Sequence, residues 1–271
     1  MEGFGNCYIF AEAKYIKKLN LRKLACAVSD KDKGIGADGL IIVDSTVEPF
    51  VMRIFNLDGS EAEMCGNGLR MAALFLKRAS YPNRKKFTLA TSAGEFPAKI
   101  ISSKANKAIV NTSMGSPDFK SSEVGIGNNS SLAFDIPLME YSGKQLTYDC
   151  VSMGNPHAVV FVKSFEFDWP KLARGISEDK MFSRGINVNF LKIINSKRFK
   201  IKTYERGSGA TSACGSGAAA CLAVGVMRNI LQKKAVAVMS GGNLELAWDM
   251  SANTINQTGP ATIICRGEYY N

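Results

Sequence analysis

The chain has 271 residues, is 46% hydrophobic and 21% charged, and carries a formal net charge of +10. That is enough apolar material for a large core and more length than one typical domain needs, while 25 glycines against 8 prolines exclude a low-complexity or collagen-like chain. The longest apolar run, Ala218 to Met227, falls far short of the roughly 20 residues of a membrane-spanning helix, and Met1-Glu2-Gly3-Phe4 has neither the basic nor the apolar part of a signal peptide, so a cytoplasmic protein with no membrane partner is expected.

Short runs rich in Val, Ile, Phe and Tyr, many bounded by Gly, Asn, Asp or Pro, predict strands over 8–11, 40–43, 50–55, 87–91, 108–111, 145–152, 158–163, 186–193, 200–204, 235–239, 243–248 and 261–265. Helical spacing predicts helices over 21–29, 68–78, 169–175 and 217–232. Residues 121–131 read as a polar surface loop. Many strands with one long helix per half indicate an α+β fold. The segment after Cys214 is apolar almost all round, so that helix should be buried and wrapped by strands. The segment after Cys65 is similar but carries Arg70. The expected architecture is two pseudo-symmetric domains, each a mostly antiparallel sheet or barrel around a central helix. The first spans 1–115 and is completed by 262–271; the second spans 116–261.

Seven cysteines, none in C-x-x-C spacing, and the single histidine His157 argue against a structural zinc site or a secreted disulfide framework. No metal is expected. The basic clusters Arg84-Lys85-Lys86 and Lys197 to Lys202 read first as solvated surface, then as weak steering of small anions, and last as a nucleic-acid surface. The second cluster alternates like one face of a strand. No nucleic-acid partner is expected.

Two of the cysteines sit in near-copies of one local sequence. Cys65 follows Asn56 by nine positions and opens Cys65-Gly66-Asn67-Gly68; Cys214 follows Glu205 by nine positions and opens Cys214-Gly215-Ser216-Gly217. Cys-Gly-x-Gly at a helix start offers free backbone N–H groups and the positive helix end to an anion. The glycines let a ligand approach the backbone, and the thiol can ionise more readily than its free value of about 8.5 allows. One such cysteine alone reads best as a buried structural residue. Two copies point to two thiols facing one site, an arrangement for moving a proton from one face of a carbon to the other. Asn56, at a strand end, can present an amide to a substrate. Glu205 takes the same place in the second half and can orient or relay protons, and Arg206 can hold a carboxylate through two bonds. His157, after Gly154-Asn155-Pro156, reads evenly as a tuning group or as a satisfied core residue. Asn187 reads evenly as a functional amide or a solvent-face residue.

On these residues the chain resembles the diaminopimelate epimerase family of cofactor-independent amino-acid epimerases. The resemblance runs through Gly3 to Asn6, Gly34 to Gly39, Asn56 to Arg70, Gly154 to His157, Asn187-Val188, Glu205 to Gly217, Gly241-Gly242 and Gly259 to Ala261. It implies that Cys65 and Cys214 are the acid/base pair, one thiolate and one thiol, acting on the α-carbon of LL- or meso-diaminopimelate in the synthesis of lysine and peptidoglycan. It implies a backbone cradle for the reacting carboxylate at Gly66, Asn67, Gly215 and Ser216. The remaining substrate contacts would be Asn6, Asn56, Asn155, Asn187, Glu205 and Arg206, with His157 and Glu205 tuning the thiols. No cofactor is implied; the partner is a small amino-acid substrate, and a homodimer is left open. Three positions depart from the family pattern: Cys7 stands where an Asp is usual, Ala210 where a Glu is usual, and Met71 where many members carry a cysteine.

Rival readings are another pyridoxal-independent racemase of the same fold, acting on histidine, proline or hydroxyproline derivatives, a thiol redox protein, and a non-catalytic amino-acid-binding module. A redox pair has no need of two Gly-x-Gly cradles, and a binding module has no need of both cysteines.

Overall fold

The computed structural model describes residues 1–16, 19–126, 132–137 and 147–270. The expected strand over 145–152 is described from Thr147, and residues 127–131 of the expected polar loop lie outside the described residues. The chain divides into one unit of Met1–Ser113 with Thr258–Asn271 and another of Met114–Gln257.

The first unit runs β1 (Glu2–Gly3), β2 (Asn6–Glu12), α1 (Ala13–Ile16), α2 (Leu21–Ser29), β3 (Gly39–Asp44), β4 (Phe50–Asn56), β5 (Glu61–Ala62), α3 (Gly66–Ala79), β6 (Lys86–Thr91), β7 (Gly94–Lys104) and β8 (Lys107–Ser113). β3 is buried on both faces, as its unbroken Leu-Ile-Ile-Val run requires. Leu40 and Ile42 pack with Ala25 and Val28 of α2, while Ile41 and Val43 pack with Leu69 and Met71 of α3. α3 touches β1, β2, β6, β7 and β8, so the strands wrap it. Each large side chain so buried contributes about 1.5–3 kcal/mol.

The second unit runs β9 (Ile136–Pro137), β10 (Thr147–Ser152), β11 (Pro156–Phe161), α4 (Trp169–Ser177), β12 (Asn187–Asn195), β13 (Arg198–Glu205), β14 (Gly209–Thr211), α5 (Gly215–Met227), β15 (Lys234–Met239) and β16 (Gly242–Asp249), and the last strand, β17 (Thr254–Thr262), begins in the second unit and ends in the first. Here α5 is the wrapped helix, in contact with β10, β11, β12, β13 and β16, and every residue from Gly215 to Gly225 is buried. Small side chains all round are what permit this. At Gly225 even a Cβ would meet Leu231.

The same pairing scheme is built twice. β2 and β3 are parallel, β3–β4 and β4–β5 antiparallel, β4–β6 parallel and β6–β7 antiparallel. β11 and β12 are parallel, β12–β13 and β13–β14 antiparallel, β13–β15 parallel and β15–β16 antiparallel. A helix, α2 or α4, links the parallel pair each time. The fold is therefore α+β with two like halves, mostly but not wholly antiparallel.

Several elements differ from the sequence expectation. β7 is absent from it because Pro97 interrupts the run, yet Phe96, Ala98 and Ile100 alternate inward and Pro97 faces out opposite Thr88. α5 ends at Met227 rather than 232, because Asn229 turns left-handed at φ 58° directly after the cap residue Arg228. The last strand occupies Thr254–Thr262 rather than 261–265; its inward positions Ile255, Gln257, Gly259 and Ala261 include a Gln and a Gly, which hides the alternation. Lys197 to Lys202 does lie along an alternating strand: Arg198 and Lys200 point outward, Phe199 and Ile201 inward.

Candidate active site

Each repeated motif builds the same corner. In the first unit β4 ends at Asn56, whose N–H donates to Ser60 O at 2.8 Å across a turn that needs Gly59 at φ 81°. β5 pairs back onto Ile54 and Phe55, and the chain enters α3 with Cys65 as N-cap. In the second unit β13 ends at Glu205, the turn uses Gly207 at φ 89° and Gly209 at φ 75°, β14 pairs back, and Cys214 caps α5.

Both cysteines occupy the place usually taken by Ser, Thr, Asp or Asn. Cys65 has φ −143°, ψ 113° and its sulfur accepts from Gly68 N at 3.3 Å; Cys214 has φ −127°, ψ 114° and its sulfur accepts from Gly217 N at 3.4 Å. A sulfur at this place receives the field of the first helical turn, which stabilises negative charge on it. Both glycines leave room for a side chain beneath the first helical turn. A Cβ at 68 would come within 2.9 Å of Ile41 Cδ1, and a Cβ at 217 would run into Asn189 Oδ1.

Around Cys65, Asn6 is the hub. Its Nδ2 donates to Asp38 Oδ2 at 2.7 Å, and its Oδ1 accepts from Asn67 Nδ2 at 3.3 Å and faces Cys65 Sγ at 3.9 Å. Asp38 also accepts from Cys7 N at 2.8 Å, so one carboxylate pins the start of β2. Burial and the Asp38 charge push the Cys7 thiol up, which keeps it protonated. Asn67 accepts from Arg70, a fully buried guanidinium that also donates to Gly66 O and to Pro260 O, both at 3.3 Å. Asn56 Nδ2 donates to Ser60 Oγ at 2.9 Å.

Around Cys214 the groups are different. Cys214 is 5% exposed, and its sulfur lies 3.4 Å from Ser216 Oγ. Burial pushes its thiol well up, and the charge of Glu205 adds to this; the Ser216 hydroxyl and Gly217 N–H work the other way. Burial likewise raises the Glu205 carboxyl, partly offset by Thr211 and Cys214, although the Thr211 hydroxyl falls short of hydrogen-bonding geometry. His157 is fully buried. Its Nε2 meets Asn155 Oδ1 at 3.0 Å, and its Nδ1 meets Asn189 Nδ2 at 3.1 Å. An amide N–H₂ can only donate, so Nδ1 accepts and the proton sits on Nε2. Burial, with the charge of Arg206, lowers this imidazole to about 3, so it is neutral at physiological pH. Asn189 is saturated by a further bond to Ala158 O at 3.2 Å and one accepted from Thr203 Oγ1 at 3.1 Å.

Asn187 is not a solvent-face residue. It is buried, donates to Pro156 O at 3.0 Å and accepts from Arg206 N at 2.9 Å. It therefore holds the backbone of Arg206, whose exposed guanidinium donates to Arg184 O at 2.6 Å. The first unit thus gathers Cys65, Gly66, Asn67 and Asn6, with Asn56 at the end of β4 bonded to Ser60. The second gathers Cys214, Gly215, Ser216 and Glu205 at the helix start, with Asn155, His157, Asn187 and Arg206 on the strand ends beside it.

Residue-by-residue reading missed Asp38, Arg70, Asn189 and Thr203. A signal for Asn189 existed: Asn187 and Asn189 are polar residues two apart in an apolar strand, so one face of that strand must meet polar groups. Among the described residues, no cluster of three or more His, Cys, Asp or Glu side chains could hold a metal ion, and no helix is long and apolar enough to cross a membrane.

The diaminopimelate epimerase family model matches residues 1–120 and 149–264. A diaminopimelate epimerase from Methanococcus maripaludis is 36% identical over 272 residues, covering 99% of this chain and 97% of the relative. One from a Geobacillus species is 37% identical, covering 100% and 97%. Among solved structures, a predicted epimerase from Pseudomonas aeruginosa superposes with a TM-score of 0.67 at 15% identity over 98% of both chains. A hydroxyproline epimerase from Agrobacterium vitis gives 0.62 at 15%, covering 90% of this chain and 80% of that one. At these identities the two structures speak for the fold alone.

Proposed function

This chain belongs to the diaminopimelate epimerase family, and from that membership we propose that it interconverts LL- and meso-diaminopimelate with Cys65 and Cys214 as the two proton-transfer groups. The single observation behind the pair is the repeated N-cap: two sulfurs, each accepting from the N–H three residues on, each at the start of a helix wrapped by its own unit. The sequence relatives favour diaminopimelate over the histidine, proline and hydroxyproline alternatives.

One sulfur, as thiolate, takes the α-proton. The C–H electron pair moves toward the α-carboxylate as the new S–H bond forms. The other sulfur, as thiol, gives its proton to the opposite face of the carbon and is left as thiolate. No oxidation occurs, and no external acid or base is consumed. The α-proton is poorly acidic beside a carboxylate, so the developing charge needs fixed donors. Backbone N–H groups at Gly66, Asn67, Gly215 and Ser216 are placed at helix starts suited to that role. In this reading these donors and the thiols suffice without pyridoxal phosphate or metal.

Asn6, Asn56 and Asn155 contact the substrate. Asp38 orients Asn6 and His157 orients Asn155, so His157 acts through its neighbour rather than by exchanging protons. Glu205 contacts the substrate amine and acts on Cys214. Arg206 takes the distal carboxylate, and Asn187 sets its position. The reading places the enzyme in the cytoplasm, in lysine and peptidoglycan precursor synthesis, with no nucleic-acid or membrane partner; light scattering on the purified chain decides whether it works as a homodimer.

The test is isotope incorporation. Purified protein is incubated in deuterated water with LL-diaminopimelate, histidine, proline or hydroxyproline, and α-deuterium is followed by NMR. Incorporation into diaminopimelate alone is expected. Preferential labelling of a monocarboxylic amino acid overturns the substrate, and no labelling at all overturns the reaction class.

A further inference from the structure

Arg206 is exposed, yet the segment that leads into β12 holds it at three places. Its backbone N–H donates to Asn187 Oδ1 at 2.9 Å, and its Nη1 donates to Arg184 O at 2.6 Å. Between these anchors its aliphatic stem lies against Gly185. A Cβ added at Gly185 would come within 3.1 Å of Arg206 Cδ and 3.5 Å of Arg206 Cγ. Arginine is among the side chains that lose most rotamer freedom when fixed, so contacts along its whole length decide whether it has one place or many.

The segment is itself firmly set. Ser177, at the end of α4, grips Ile186 through both its carbonyl and its hydroxyl. Ile186 N donates to Ser177 O at 3.2 Å, and Ser177 Oγ donates to Ile186 O at 2.7 Å. Both residues are buried. Gly185 N donates to Phe182 O at 3.0 Å, and Phe182 sits in the core of the unit. Gly185 has φ 65°, a left-handed turn that takes the chain from the exposed Arg184 to the buried Ile186. A Cβ at Gly185 would also meet Ser177 O at 3.1 Å. That oxygen is fixed by its bond to Ile186, whereas the arginine stem can turn. The stem is therefore what gives way to a side chain at position 185.

The first unit occupies the like positions differently. The strand registers put Gly39 where Asn187 stands, so Ala37 matches Gly185 and Leu57 matches Arg206. Leu57 has no charge to aim and is 58% exposed, and Ala37 is buried with its methyl group. The bare glycine occurs in the unit that carries the guanidinium.

We infer that Gly185, with the carbonyl of Arg184, is the positioning element that fixes the reach of Arg206, and through it the placement of the distal carboxylate of the substrate. Gly185 has no side chain to offer a substrate and acts only through Arg206. With the stem laid on Gly185 and one N–H bonded to Arg184 O, the remaining N–H groups of the planar guanidinium keep one direction. A carboxylate can take two of them. This ordering is complete before the substrate arrives, so its benefit falls on binding.

The inference rests on the reading of Arg206 as the distal-carboxylate group. Steady-state kinetics with diaminopimelate are compared for the full-length wild type, Gly185→Ala, Gly185→Asn, Arg206→Ala, and Gly185→Asn combined with Arg206→Ala. Asn enters the left-handed region more readily than Ala, so it adds a Cβ with less backbone strain. Both Gly185 variants should raise KM about tenfold, the scale of one charge-assisted contact, and leave kcat nearly unchanged. On the Arg206→Ala background Gly185→Asn should add nothing to KM, because the two residues act as one unit. A role in packing alone would lower the melting temperature and leave the two effects additive. An unmoved KM in Gly185→Asn overturns the inference when Arg206→Ala does raise KM. A rise that persists in full without Arg206 overturns it too. If Gly185→Ala does not fold, Gly185→Asn decides. Failure of the underlying reading shows separately, as an Arg206→Ala variant that keeps the wild-type KM, and it takes the inference with it.

Discussion

Beneath the first turn of α3 lies Ile41, and beneath the first turn of α5 lies Asn189. The strand registers make these the same place. Gly39 pairs with Asn56 and Ile41 with Ile54 in the first unit; Val188 pairs with Tyr204 and Asn189 with Thr203 in the second. Tyr8 likewise corresponds to His157, each opposite the first residue of the parallel partner strand. One unit thus fills the space with Tyr8, Ile41 and Ile54, the other with His157, Asn189 and Thr203. The polar set survives burial because its bonds are closed: both imidazole nitrogens and both ends of the Asn189 amide have partners. The lesson is that one scaffold can orient a side-chain amide in two ways. The second unit fixes Asn155 from the buried side through His157, and the first fixes Asn6 from the exposed side through Asp38.

The largest effect should come from what the units share. Cys65→Ala and Cys214→Ala should each lower epimerisation by at least about 10²-fold, the usual worth of a positioned proton-transfer group, with little change in melting temperature. Near-normal turnover in either variant would remove that cysteine from the mechanism.

The next effect belongs to the second unit alone. Arg206→Lys loses a planar charge-assisted contact worth about 1.5–3 kcal/mol, so kcat/KM for diaminopimelate should fall about 10- to 100-fold. Asn187→Ala should follow it in kcat/KM, because Arg206 N–H loses its acceptor. If neither variant changes kcat/KM, the distal carboxylate is held elsewhere.

Exchanging the buried residues tests whether the two packings are interchangeable. Asn189→Ile strands His157 Nδ1 and the Thr203 hydroxyl, and Ile41→Asn puts an amide among Ile54, Leu69 and Met71. Each should cost roughly 1–3 kcal/mol in urea unfolding. Neutral exchange would mean that the polar set contributes nothing specific.

The last effect is confined to acid. The His157 imidazole is depressed to about 3 in the folded chain from an ordinary value near 6.5. The unfolded chain therefore binds the extra proton first. The stability carried by the neutral imidazole is intact above about 6.5 and is lost as pH falls toward 3, with a slope of up to about 1.4 kcal/mol per pH unit. Replacing His157 by Gln should flatten that part of the curve relative to wild type. A parallel curve would show that His157 takes up its proton without disturbing the fold.

The repeated Cys-Gly-x-Gly, the spacing to Asn56 and Glu205, and the apolar run after Cys214 were readable without a structure, because each depends on neighbours along the chain. Backbone N–H groups at a helix start and small residues in a wrapped helix leave their mark in a dozen consecutive residues. The same locality explains the misses. Pro97 reads as a breaker until β6 and β8 are seen to flank it, and Thr254 to Thr262 reads as polar until its Gln and Gly are seen to face inward.

The sequence by itself determined the fold class, the duplication and the two sulfurs, since period, turn chemistry and helix capping act over a few residues. Only the tertiary structure decided what each sulfur feels. The partners of His157, Asn189, Asn6 and Arg70 include residues 32, 31, 32 and 190 positions away respectively. Burial set the charge state of His157 and gave Arg70 its bonds to Gly66 O, Asn67 Oδ1 and Pro260 O. Burial and pairing arise when distant strands close around a helix, so no local pattern could carry them.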